Sequence, residues 1–139
     1  MYCHEDVNNI FAVTHPTLWQ RFYNREFVES IHARCSTGKN SNDVCFYINT
    51  MANARRITHI EKFFYLYRFG THTSVQFQRK QSGNSMDFVN AIRDSWQSLE
   101  NLGNERLNEQ FAEWVSSQLK FNCPSFGKEN ILKYVDLIT

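Results

Sequence analysis

Apolar residues in the second half of the chain recur at helical spacing. Phe88, Ile92, Trp96 and Leu99 fall on one face of a 3.6-residue turn, and Leu107, Phe111, Val115 and Leu119 repeat at steps of four. Gly103 stands where a helix can end in the left-handed region, so the two stripes predict antiparallel helices joined over Asn101–Asn104. Trp114 widens the second stripe, and Glu105, Glu109 and Glu113 lie elsewhere on its surface. Upstream, Ser82–Ser85 reads as a turn with Asn84 as the helix cap. Downstream, Cys123-Pro124-Ser125 breaks the pattern, and Ile131, Val135 and Ile138 predict a short closing helix.

The first half carries mixed signals. Pro16 suits a first helical turn, and Trp19, Tyr23, Phe27, Ile31 and Cys35 then recur every fourth residue, predicting one helix of about five turns. Ser36–Ser41 reads as a loop. Met51, Ala54, Ile57, Ile60 and Phe64 predict a second helix over Thr50–Phe64, while Val44–Ile48 suits either helix or strand. Ser74–Gln78 alternates with period two and would pair with Tyr65–Phe69 as a hairpin packed on helices. Only two prolines and five glycines interrupt the chain. The pattern therefore predicts a mainly α, helix-rich single domain over residues 1–139 with room for one small β-hairpin; an α+β fold is the alternative.

Composition narrows the class. A chain of 139 residues, 42% of them hydrophobic, has enough apolar surface for one core and lies outside the composition of disordered chains. No apolar run approaches the ~20 residues of a membrane span, and the N-terminus has acids where a secretion leader has a basic region and an apolar core. The four cysteines form no C-x-x-C pair and read as reduced, mostly buried thiols. These features predict a soluble, unprocessed, cytoplasmic protein.

Charge adds the main functional lead. The overall formal charge is +1, yet residues 54–80 carry six cations against Glu61 alone, a local net of +5. Residues 86–119 carry six acids against Arg93 and Arg106, a local net of −4. The basic stretch also holds the aromatic run Phe63-Phe64-Tyr65-Leu66-Tyr67. Cations for phosphates, interleaved with flat rings for stacking, are what a single-strand binder requires. Arg55, Arg56, Lys62, Arg68, Arg79 and Lys80 are the candidate charge contacts, and Tyr65 and Tyr67 the candidate rings, since each can keep its hydroxyl in water. Phe63, Phe64, Leu66 and Phe69 are assigned to the core, because exposing them together exceeds the apolar patch a soluble monomer tolerates. Trp19, Trp96 and Trp114 are assigned there too.

Other chemistry finds little support. Ser36-Thr37-Gly38-Lys39-Asn40 lacks the upstream glycine and the hydroxyl of a phosphate loop. His15-Pro16-Thr17 and His72-Thr73-Ser74 share the spacing of a two-histidine phosphoesterase, but only over two tripeptides. His32 and Cys35 would lie one turn apart on the first helix, two ligands short of a zinc site. The sequence thus predicts a non-enzymatic recognition protein, without catalytic residues, cofactor or metal. Its basic-aromatic surface contacts an acidic partner: single-stranded nucleic acid, an acidic protein face, or a second copy whose negative segment complements the positive one. The alternative is a small-molecule-binding protein or small enzyme with an aromatic-lined pocket around His59 and His72.

Overall fold

A computed structural model describes residues 1–68 and 86–122, with side chains described to residue 119. Among the described residues the architecture is helical: α1 (Arg25–Ser30), α2 (Asn42–Asn53), α3 (Met86–Glu100) and α4 (Glu105–Asn122), with 3₁₀ turns at Ile10–Ala12 and Leu18–Gln20. The β pairing among them is one antiparallel bridge between Tyr2 and Ile57. The mainly α prediction holds. Of the predicted hairpin, Tyr65–Arg68 is described, whereas Phe69 and its partner Ser74–Gln78 lie outside the described residues, as do the Asn84 cap and the closing helix.

The core forms where helical stripes meet. On α2, Val44, Tyr47, Ile48, Met51 and Ala52 are buried at the i, i+3, i+4 spacing of one helix face. That face packs chiefly on α3, which buries Phe88, Val89, Ala91, Ile92 and Leu99. Leu107, Phe111, Trp114 and Val115 of α4 complete the cluster. The 3₁₀ turn Ile10–Ala12 plugs the space between α2 and α4, with Ile10 and Phe11 fully buried. Phe11 meets Phe111 edge to face at 5.8 Å, an arrangement aromatic rings prefer to a face-to-face sandwich.

Polar bonds lock this plug. The Tyr47 hydroxyl shares its proton between the carbonyls of Phe11 and Thr14, at 3.0 and 2.9 Å. Across the interface, Gln110 Oε1 accepts from the Ile10 backbone N–H at 3.2 Å, and its main-chain carbonyl accepts from Asn9 Nδ2 at 2.7 Å. Gly103 has φ +60° with open space around it, so the turn between α3 and α4 uses glycine for its backbone and not for close packing. At the other end of α3, Asp87 Oδ2 accepts from the Asn40 N–H at 3.0 Å. This pins the 36–41 loop to the helix start, with Gly38 fitting tightly beside the Asp87 side chain.

Both C-terminal helices lie where the periodicity places them, whereas two predicted helices in the first half are corrected. The helix expected from Pro16 to Cys35 is split. Leu18–Gln20 is a short 3₁₀ turn, Arg21 is extended, and α1 spans only Arg25–Ser30 before His32 takes φ 51°. Two local competitors explain the break. Arg21 donates from its guanidinium to the Thr17 and His15 carbonyls and the Thr14 hydroxyl, and it lies 4.6 Å from the centre of the Tyr47 ring. Asn24 Oδ1 accepts from the Phe27 N–H at 2.9 Å, which starts a fresh helix as a cap. The apolar ridge is real but divided: Tyr23 packs edge-on against Phe46 at 5.1 Å, while Trp19 turns elsewhere.

The helix expected over Thr50–Phe64 is also corrected. Helix α2 begins earlier, taking in Val44–Ile48, and ends at Asn53 with Ala54 extended. By then its buried face is complete. The Asn53 side chain donates back to the Asn49 carbonyl at 2.9 Å, and β-branched Ile57 exchanges two backbone hydrogen bonds with Tyr2 (2.9 and 2.7 Å) in place of helical ones.

Candidate basic-aromatic groove

Beyond Ala54 the chain leaves the helical body, and every described residue from Thr58 to Arg68 is exposed. Phe63, Phe64 and Leu66 are therefore not core, contrary to the sequence expectation: their exposures are 102%, 60% and 93%. The physical reason is spatial. The cluster of α2, α3, α4 and the Ile10–Ala12 turn is already filled, so Phe64 takes a partner in Phe22 of the 19–22 segment while Phe63 and Leu66 stand open. Phe69 lies outside the described residues.

Alternation along the extended segment sorts its rings to two sides. Tyr65 and Tyr67 stack on Trp19, with centroids 4.8 and 5.3 Å away and interplanar angles of 28° and 9°. Phe64 meets Phe22 edge to face at 5.4 Å. Trp19 is thus a half-exposed member of the strip and not the core anchor expected. Trp96 is half-exposed as well, its ring 6.1 Å from that of Phe111, while Trp114 is buried as predicted.

A broad open groove of about 1710 Å³ runs beside this segment. It is bounded by the N-terminal arm at Tyr2–Glu5, by the 20–31 segment, and by residues 50–60 with Lys62 and Phe64. Its charged lining comprises Arg21, Arg55, Arg56 and Lys62 against Glu5 and Glu26. Arg21 is engaged by the carbonyls named above. The side chains of Arg55, Arg56 and Lys62 are exposed and form no hydrogen bond or ion pair with another described residue. Among the described residues the one such ion pair is Arg25–Glu29, at 2.8 Å on the surface of α1. Among the acids of α3 and α4, Asp87 holds the 36–41 loop, Glu113 Oε2 accepts from Asn9 at 3.2 Å, and Glu100, Glu105 and Glu109 are exposed.

The predicted site residues divide accordingly. Arg55, Arg56 and Lys62 share the groove; Tyr65, Tyr67 and Arg68 are exposed outside its lining; Arg79 and Lys80 lie beyond the described residues. Sequence reasoning missed Phe22 and Phe64 as groove rings and Trp19 as the stacking partner of the two tyrosines. Period-two spacing from Lys62 to Phe64 is the signal that places both on one side of an extended chain, and the helical reading of this segment concealed it. His59 lines the groove and is exposed, whereas His72, its expected pocket companion, is outside the described residues. The same holds for the pairing of His15 with His72.

The titration shifts belong to the body and its margins. Burial pushes the hydroxyls of Tyr47 and Tyr23, the Cys45 thiol and the Asp43 carboxyl above their ordinary values. Exposed Asp6 moves the other way, held down by the backbone N–H of Cys3 that it accepts at 2.8 Å. Cys35 is exposed and lies with His32 beyond the end of α1, so the two do not form the one-turn helical pair considered from the sequence. No group of three or more metal-ligating side chains converges among the described residues.

Nor is any described helix long and apolar enough to cross a membrane. Comparison with protein-family models, curated proteins and solved structures finds no match to this chain.

Proposed function

We propose that the chain is a non-enzymatic recognition protein that binds an acidic macromolecule along the groove bounded by Arg55, Arg56 and Lys62. One observation carries the reading: these three cations are exposed and unpaired with any described carboxylate, beside exposed rings. A cation held by an internal acid has little to offer a ligand, whereas one in open solvent exchanges loosely held counterions for the ligand's charges. The acidic partner is a phosphate backbone or a carboxylate-rich protein face. A second copy of the chain is a special case, because Glu105, Glu109 and Glu113 are exposed at steps of four along α4.

The test is a salt titration with two polyanions, a short oligonucleotide and polyglutamate. Binding through these cations weakens steeply as salt rises, by a log–log slope of about −0.7 per phosphate neutralised on a single strand. Arg55→Glu combined with Arg56→Glu removes binding while leaving the helical signal intact. Failure of both polyanions to bind at low salt, or a salt-independent affinity, ends this reading.

A further inference from the structure

We infer that the groove takes a single-stranded nucleic acid, with an unpaired base stacking on the Phe22–Phe64 pair while Arg55, Arg56 and Lys62 meet the phosphates. The inference rests on the proposed basic recognition surface and commits it to one class of partner. Phe22 is 78% exposed and Phe64 60% exposed, and both line the groove that holds the three cations. Their edge-to-face contact, at 5.4 Å and 87°, orients the two rings against each other and leaves ring surface in solvent.

A carboxylate-rich protein face would use the cations and gain no stacking from these rings. A nucleobase has a flat face for them, and every base has one, so stacking of this kind tolerates any sequence. A duplex keeps its bases stacked on one another and out of reach, and a chain of net charge +1 lacks the strongly basic character of a duplex binder. Glu5 and Glu26 enter the groove from the N-terminal arm and from α1. The phosphates therefore keep to the cations Arg55, Arg56 and Lys62 and away from these two carboxylates.

The experiment compares a short oligothymidylate with an abasic strand of the same length, for the natural chain and for Phe22→Ala with Phe64→Ala. Each stacked base is expected to strengthen binding by about 5- to 140-fold over the abasic strand. The double alanine variant should lose that preference and keep the salt slope, since it removes rings and no charge. Both substituted side chains are largely exposed, so the variant should fold, with an unchanged far-UV circular dichroism spectrum as the check. Equal affinity for the two strands, or preference for duplex or polyglutamate over oligothymidylate, overturns the stacking inference and leaves the basic-surface reading standing. Absence of binding to every polyanion overturns both.

Discussion

The helical body and the 55–68 segment are built from similar residue types and treat them in opposite ways. In the body, Phe11, Phe111 and Trp114 are buried and held by neighbours on three elements. In the extended segment, Phe63 and Leu66 have almost nothing over them, and Tyr65 is steadied mainly by one tryptophan ring. The difference lies in what stands opposite each residue, since hydrophobicity is shared. Aromatic content supports a fold only where a second surface closes over it; elsewhere it is available for contact.

This contrast is broken most severely from the body side. Phe111→Ala removes a ring that contacts Phe11, Trp96 and Trp114, and should destabilise the protein by about 3–5 kcal/mol, read as a fall in the urea midpoint. A loss under about 1 kcal/mol would mean that the core is far looser than described.

Tyr47→Phe comes next. It strips the proton that the Phe11 and Thr14 carbonyls share, for an expected loss of about 1–3 kcal/mol. It also carries a pH signature. Burial raises the Tyr47 hydroxyl above its ordinary 10.0, and Tyr23 follows it, so at alkaline pH the folded chain keeps protons that the unfolded chain has lost. Stability is therefore full below about pH 10 and declines as pH rises beyond it. Urea midpoints measured from neutral to alkaline pH should show this decline, with a shallower slope in Tyr47→Phe. An identical slope in the variant would remove Tyr47 as its source.

The smallest effect belongs to the strip. Phe63→Ser with Leu66→Ser should change stability by no more than about 0.5 kcal/mol, because neither side chain is covered. A loss comparable to that of Phe111→Ala would show that the two regions do not differ as described.

The same contrast explains what the sequence disclosed. Helices α3 and α4 were legible because each presents one apolar stripe to one set of partners and is bounded by a turn; periodicity needs no more. The ridge from Trp19 to Ile31 has the same spacing, but its members serve different neighbours: Trp19 the tyrosines, Tyr23 the Phe46 ring. Spacing identifies which residues are apolar without saying what will face them. Nor does it register Arg21 and Asn24, whose side-chain hydrogen bonds divide that helix.

The charge of the candidate site was legible, since Arg55, Arg56 and Lys62 are cationic wherever they lie. Its rings were not, because the burial assigned to Phe63, Phe64 and Leu66 presumed space in a core that α2 and the Ile10–Ala12 turn had already filled.

The hydrogen bond from Ile10 to Gln110 spans 100 residues of chain and has a consequence for biosynthesis. A ribosome adding ~5–20 residues per second delivers the second partner ~5–20 s after the first. For that interval Ile10 and Phe11 lack the α4 side of their cover on a nascent polypeptide. Holding factors or slow translation would act on that delay, and a variant that aggregates only while being made would be expected to map to this pair.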